Sequence, residues 1–485
     1  MTSTTIRSLA RLLAAVALAT AVVLVGGLRS ADAQTAVEVH LTGDNANNFF
    51  VVTAKDATTL EFCTDLLGCF ERPSADIERI VIDGLDGDDG VFVSHRANMV
   101  TNTSGRPLSL VFVGGAGNDE LRVCTINACS QGLTTTVTPL PETDEVRIVQ
   151  CLGRTQNQPG GRCLDQPFQA PVPTLKINAR GTSVITDMSP GPLHVAGTPD
   201  ADTITTAAGP TLTNTAPSGP ATSGEIRVGQ MAALRVLNKD HLVIDGLAGA
   251  DVVRIATRAG LVSQPTTCAR DGAAGVAGIC VTGGEEAGDR LQVADGDGVT
   301  EPMTMATRFP GITRLSGTSA APTIDATGID EIELGVQPDE GDALLVTGTP
   351  VQEVVRIAST TPDVVTLTGH YATNTGVPAP LPQVTLSADG SGPIAVTVDG
   401  LGGGDRLEIA TGQAEDLVTV ARSLDRTECA ATAGTCVVHH RDGVEALRLT
   451  ALAVGTVDIA TADGSDTVAL TADVVPPVVW RGGPG

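Results

Sequence analysis

A chain of 485 residues with a formal charge of −26 and only 2% aromatic residues is too acidic for nucleic acid or an anionic membrane to be a natural partner. One Tyr, one Trp and three lysines suit a sugar-processing cleft badly, because such clefts need aromatic platforms and basic groups. The abundance of Val, Ile, Leu, Ala and Thr, with 55 glycines, predicts many short strands around a thin core of small aliphatic side chains.

The chain opens with Arg7 and Arg11, an apolar run from Leu12 to Leu28, and the small-residue site Ala31-Asp32-Ala33. This predicts a secretory signal peptide over residues 1–33, cut before Gln34; an uncleaved N-terminal anchor is the competing reading. No later stretch has the ~18 uninterrupted apolar residues of a spanning helix. The expectation is a secreted protein, extracellular or at the cell surface, with no membrane insertion after signal cleavage. Arg7, Arg11 and Arg29 against Asp32 give the leader a net +2, so the remainder stands near −28. That balance suits cations, calcium above all, as well as plain colloidal solubility.

The recurring element is GLAGADVVRI (Gly246–Ile255), entered from the apolar run His241–Asp245. It reads as a strand, a glycine turn carrying an aspartate, then a second strand with the alternation of a half-buried sheet. The aspartate at the turn exit can accept backbone N–H bonds or bind a hard cation. Near-copies stand at Gly84–Val93, Gly114–Val123 and Gly400–Ile409. Aligned on the sixth position, nine copies fall into three sets: Asn48, Asp89, Asp119; Asp202, Asp251, Asp289; and Glu353, Asp405, Asp466. Equivalent members lie 151 to 177 residues apart, the mark of a repeat architecture. The predicted organisation is three β repeat units over 34–190, 191–340 and 341–475, followed by a tail over 476–485.

Ten cysteines form five close pairs: Cys63/Cys69, Cys124/Cys129, Cys151/Cys163, Cys268/Cys280 and Cys429/Cys436. Local disulfides are the expectation in an exported chain. Zinc is the rival, although none of the pairs has the knuckle spacing CxxC.

GGAGNDELR (Gly114–Arg122) matches the nonapeptide G-G-x-G-x-D-x-U-x, and GLDGDDGVF, GLAGADVVR and GLGGGDRLE match with leucine for the second glycine. The chain therefore resembles hemolysin-type (RTX-like) calcium-binding repeat proteins, and also bacterial surface β-solenoid proteins. The resemblance implies a parallel β-roll in which turn aspartates and backbone carbonyls hold calcium between successive turns. The candidate metal ligands are then Asp86, Asp88 and Asp89; Gly117, Asn118 and Asp119; Asp200 and Asp202; Gly249 and Asp251; Asp289; Gly403 and Asp405; and Asp463 and Asp466. Copies here lie 30 to 83 residues apart instead of back to back, so each supplies half a site. The bland reading is a turn whose aspartate caps local N–H groups.

No GxSxG elbow, HExxH or phosphate-binding Walker loop occurs, and adjacent His439 and His440 would point to opposite faces of a strand. A calcium-dependent β-helix polysaccharide lyase is the enzymatic alternative; the expectation is no enzyme. The expected fold is all-β, a repetitive β-solenoid (β-roll or β-helix-like) of three diverged units, with tandem β-sandwich modules as the alternative. The expected function is an exported calcium-binding structural or surface protein. The alternative is an adhesin or extracellular matrix module. Its loops (Ala207–Gly224, Tyr371–Pro382) would bind cell-surface or matrix components, and its turns would be purely structural.

Overall fold

A computed structural model describes residues 37–482. It omits 57, 95–107, 124–132, 141–142, 144, 153–171, 189–190, 213–220, 238, 257–260, 263–277, 285, 295–302, 309–310, 318–322, 337–342, 348–352, 362, 373–377, 389–391, 401–404, 412–415, 423–434, 442–443, 463–465 and 471–476. The predicted signal peptide, Gly403, Asp463 and, of the expected disulfides, Cys124, Cys129, Cys163, Cys268 and Cys429 lie outside the described residues.

Strands dominate, and the described residues contain no α-helix. The first twelve are β1 Val37–Thr42, β2 Phe49–Ala54, β3 Thr59–Thr64, β4 Gly68–Pro73, β5 Ile77–Asp83, β6 Gly90–Val93, β7 Leu108–Val113, β8 Glu120–Val123, β9 Leu133–Leu140, β10 Glu145–Leu152, β11 Val172–Arg180 and β12 Val184–Asp187. The next are β13 Gly191–Ala196, β14 Thr203–Leu212, β15 Ala221–Val228, β16 Ala233–Val236, β17 Lys239–Asp245, β18 Val252–Ile255, β19 Ile279–Thr282, β20 Arg290–Val293, β21 Met303–Arg308, β22 Ile312–Ser316, β23 Ile324–Thr327 and β24 Glu331–Val336. The last are β25 Ala343–Thr347, β26 Glu353–Thr361, β27 Val364–Ala372, β28 Pro378–Pro380, β29 Gln383–Ala388, β30 Ile394–Asp399, β31 Arg406–Ala410, β32 Asp416–Arg422, β33 Thr435–Arg441, β34 Val444–Leu452, β35 Thr456–Ala460, β36 Thr467–Leu470 and β37 Val478–Arg481.

These strands form two large, mostly parallel sheets. Sheet one runs β1-β5-β7-β11-β10-β9-β13-β17-β19-β23-β22-β21-β25-β30-β34-β33-β32-β36. Sheet two runs β4-β3-β2-β6-β8-β12-β16-β15-β14-β18-β20-β24-β29-β27-β26-β31-β35-β37, with β28 beside β27. No described pairing joins β4 to β37, so sheet two is an open ribbon and not a closed barrel. Parallel neighbours ordinarily need a long crossover. Here the chain crosses to the other sheet instead, and the strand after next returns to pair in register.

One crossing from sheet one to sheet two is a step, and the first two sets have four steps each. In the first set these are β1→β2, β5→β6, β7→β8 and β11→β12; in the second, β13→β14, β17→β18, β19→β20 and β23→β24. After the first step of each set a hairpin is added to sheet two (β3 and β4; β15 and β16). Before the fourth, one is added to sheet one (β9 and β10; β21 and β22). These hairpins account for the antiparallel pairs.

Alternation explains the core. Strands such as Leu108–Val113 and Ile394–Asp399 bury every second residue. Ile80, Ile82, Leu110 and Phe112 from sheet one meet Val91, Val93, Leu121 and Val123 from sheet two in one continuous apolar cluster. Each such side chain contributes roughly 1.5–3 kcal/mol on burial.

Candidate functional site

Asp466 aside, the predicted turn residues that are described line one edge of the molecule, where each step crosses from sheet one to sheet two. Asp89, Asp119, Asp251, Asp289 and Asp405 are all buried there, as are Asn48 and Glu353, the two residues that depart from the motif. Asp202 is half-buried, whereas Asp88 and Asp200 are exposed.

What buries a carboxylate at a turn is the step stacked beside it. The Asp89 Oδ1 accepts the backbone N–H of Asn48 at 2.8 Å, and the Asp119 Oδ1 accepts that of Asp89 at 2.9 Å. The second set repeats this: Asp202 N–H donates to Asp251 Oδ1, and Asp251 N–H to Asp289 Oδ1, both at 2.8 Å. In the third set the Glu353 N–H donates to Asp405 Oδ1 at 2.8 Å. Each aspartate thus holds the equivalent residue of the preceding step. Charge-assisted bonds of this kind contribute more than neutral ones.

The glycines fit the same stacking. The motif's first glycine lies beneath the aspartate's second oxygen. A Cβ on Gly84 would sit 2.6 Å from the Gly114 carbonyl oxygen and closer still to Asp89 Oδ2. A Cβ on Gly246 would sit 2.7 Å from the Gly283 carbonyl oxygen and likewise press on Asp251 Oδ2. At the motif's second position, Leu85 and Leu247 take φ of 72° and 79°, a left-handed backbone that disfavours leucine by ~1 kcal/mol. One step on, Gly115 and Gly284 occupy that position, where a Cβ would land on the carbonyls of Leu85 and Leu247. Leucine is therefore tolerated in the second copy and shut out of the third. Gly117 and Gly249, at the fourth position, also have positive φ and lie against the preceding turn.

The electrostatics are adverse. Oδ2 of Asp89, Asp119, Asp251 and Asp289 is buried without a hydrogen-bond donor among the described residues. Burial first, and neighbouring carboxylates second, push the Asp251 carboxyl from its usual 3.8 up to about 6. Asp119 and Asp289 are raised by the same causes.

The predicted ligands do not converge as a carboxylate cluster. Asp86 makes an isolated parallel bridge to Ala116, while Asp88 Oδ1 accepts the Asn118 N–H at 2.8 Å, away from buried Asp89. Asp466 lies between β35 of sheet two and β36 of sheet one, on the opposite, return edge of the molecule. The third set lacks the step equivalent to β7→β8 and β19→β20, so no third-copy aspartate follows Asp405 on the crossing edge. Calcium takes six to eight oxygens at about 2.3–2.6 Å. The crossing turns at Asp89, Asp119, Asp251 and Asp289 each offer one orphaned carboxylate oxygen, its other oxygen being engaged. Among the described residues, the one trio of acidic, histidine or cysteine ligand atoms close together is Glu61, Cys63 and Cys69. Those two sulfurs are bonded to each other.

Comparison with protein-family models, curated proteins and solved structures finds no match to this chain.

Several features escaped the motif reading. The fourth step of each set turns in three residues: Gly181-Thr182-Ser183, Gly328-Ile329-Asp330 and Ala453-Val454-Gly455, with φ of 62°, 64° and 51° at the first. Asp330 extends the aspartate column, its Oδ2 accepting the N–H groups of Gly288 (2.5 Å) and Asp289 (3.3 Å). Two ion pairs are buried away from this edge, Lys239 with Asp187 at 2.6 Å and Arg314 with Asp325 at 2.6 Å. Cys63 and Cys69 are joined across the β3–β4 hairpin as expected. Cys280 and Cys436 are each engaged in a disulfide whose other cysteine lies outside the described residues.

Proposed function

We propose that the chain is an exported, non-catalytic β-solenoid scaffold whose turn aspartates clamp each step to the one before and whose projecting hairpins carry binding. The winding is supported by sheets that continue across set boundaries: β9 pairs with β13, β12 with β16, β21 with β25 and β24 with β29. Tandem sandwiches would break the sheets there. The observation that carries the clamp is the repeated bond from a backbone N–H to the Oδ1 of the next step's aspartate. Export rests on the leader over residues 1–33 and on the disulfides.

Calcium binding at the crossing edge is the second reading. It is favoured by the four buried Oδ2 atoms without a donor, which a cation would neutralise, as in the RTX-like proteins the motif resembles. Asp89, Asp119, Asp251 and Asp289 would hold it, with the glycine carbonyls beside them. What calcium would supply there is charge neutralisation between stacked turns.

Asparagine separates the two. In Asp251→Asn, Oδ1 still accepts the Asp202 N–H, and the new N–H₂ faces the Gly283 carbonyl. The first set already carries Asn48, whose Nδ2 donates to the carbonyls of Asp44 and Ala46. For a clamp, Asp251→Asn and Asp89→Asn should melt at or above the parent temperature, equally in millimolar calcium and in chelator. A calcium-dependent rise in the parent Tm that the asparagine variants lose would overturn the clamp and establish the metal.

A further inference from the structure

We propose that the groove at the junction of the second and third sets binds a guanidinium or ammonium side chain of a basic polypeptide. The groove has a volume of about 710 Å³, within the range of ligand sites. It owes its existence to the three-residue turn Gly328–Asp330, which sits back from the six- and seven-residue turns of the steps before it. The far wall is the base of the β27–β28 hairpin, Tyr371 and Pro380–Pro382.

Three observations point to a cation. Asp330 and Glu286 both line the groove, and among the described residues no Lys, Arg or His does. Neither carboxylate takes part in an ion pair, and both lie close enough to Asp289 to push its carboxyl upward after burial has done so. Second, the chain's one tyrosine lines this groove: Tyr371 is 6% exposed, and its hydroxyl makes no hydrogen bond to a described residue. The ring is buried while the hydroxyl has no partner among the described residues, which leaves a hydrogen-bonding position for a ligand in the groove. Third, the shape opposes a bare ion. The carboxylates do not bring three ligand oxygens together, and Leu381 with its flanking prolines offers an apolar wall for the methylene stem of Arg or Lys. Fixed by two backbone N–H groups at Oδ2, Asp330 presents Oδ1 to a charged N–H donor. The net charge of −26 would steer such a partner inward.

The inference rests on the scaffold reading only in taking this hairpin as a binding element; its test is a binding measurement, independent of the melts that test the clamp. Fluorescence anisotropy would follow a labelled, end-blocked peptide of alternating Gly and Arg titrated with the purified protein. The same peptide with citrulline for Arg, and a neutral oligosaccharide as competitor, are the controls. Expected is saturable binding of the Arg peptide, weakened tenfold or more by Asp330→Asn and severalfold by Tyr371→Phe, and absent for citrulline. Asp56→Asn, at a distant exposed turn, should leave it unchanged. Equal weakening by Asp56→Asn and Asp330→Asn, meaning attraction to net charge alone, would overturn the proposal. So would citrulline binding as well as Arg, or displacement by the neutral oligosaccharide, which would make the groove a glycan site. Circular dichroism of each variant checks that binding is lost from a folded protein.

Discussion

The crossing edges of the second and third sets differ in a way that shows what the motif does. In the second, Asp202, Asp251, Asp289 and Asp330 form an unbroken column of carboxylates, in which Asp251, Asp289 and Asp330 each accept the N–H of the aspartate before. In the third, Glu353 and Asp405 are followed directly by the turn Ala453–Gly455. There the Gly455 N–H donates to the Asp405 carbonyl at 2.8 Å and no further carboxylate is added. Both edges stack, so the column is not a condition for stacking. What it adds is a side-chain bond at each step, together with like charges spaced about 4.8 Å apart. The longer column gains clamps and accumulates repulsion, and it ends in the groove at Asp330, where excess charge meets solvent.

The sharpest break in the comparison should come at the motif's first glycine. In the second set, a Cβ on Gly283 would press on the Gly328 carbonyl and lie 2.5 Å from Asp289 Oδ2. Backbone of the next step has nowhere to move. In the third set, the three atoms nearest a Cβ on Gly400 all belong to the Asp405 side chain, which can rotate. Gly283→Ala should therefore destabilise by about 3 kcal/mol and Gly400→Ala by about 1 kcal/mol. Urea denaturation of the two variants measures this. Equal losses would mean that the next step's carbonyl is not what excludes a side chain.

A smaller effect should appear in the pH dependence. Asp251, Asp119 and Asp289 have raised folded-state pKa values, so the folded chain holds more protons than the unfolded one between the ordinary carboxylate range and about pH 6. Stability should be fully present below that window and fall as pH rises through it, then level off. For Asp251 the loss is on the order of 2 kcal/mol. Asp251→Asn should flatten the profile without calcium. A parent protein whose stability rises from pH 4 to pH 6 would show that these carboxylates are ionised and compensated in the fold, which is the behaviour that calcium would give.

Much of this edge was legible before any coordinates. The strands follow from alternation, and Asp89, Asp119, Asp251 and Asp405 share an edge because Gly-x-x-Gly-x-Asp needs a turn with its aspartate at the exit; Asp289, in GGEEAGD, keeps the glycines and the exit aspartate in a turn one residue longer. What could not be read was which edge a turn serves. Asp466 sits in GSD, and a turn selects glycine and a short polar residue whether the chain is leaving sheet one or returning to it. The three-residue turns were missed because Gly-Thr-Ser, Gly-Ile-Asp and Ala-Val-Gly share a backbone conformation and not a side chain. The pairing of Asp330 with Tyr371 across a groove depends on the β27–β28 hairpin folding back, which local periodicity does not encode.

Those short turns provide the finest test of the comparison. Gly181, Gly328 and Ala453 hold the same left-handed position in the first, second and third sets, and only the third carries a Cβ. A Cβ on Gly328 would lie 3.0 Å from the Gly284 carbonyl oxygen, because the column of the second set runs directly beneath it. In the third set alanine holds the same position, with φ of 51°. Gly328→Ala should then destabilise by about 1–2 kcal/mol, combining strain with the close carbonyl. Ala453→Gly should change stability by less than about 1 kcal/mol, relief of strain being offset by a more flexible unfolded chain. Matched thermal melts of the two substitutions decide the point. If Gly328→Ala were as mild as Ala453→Gly, the missing third step would have no bearing on what the short turn accepts, and the two edges would differ in charge alone.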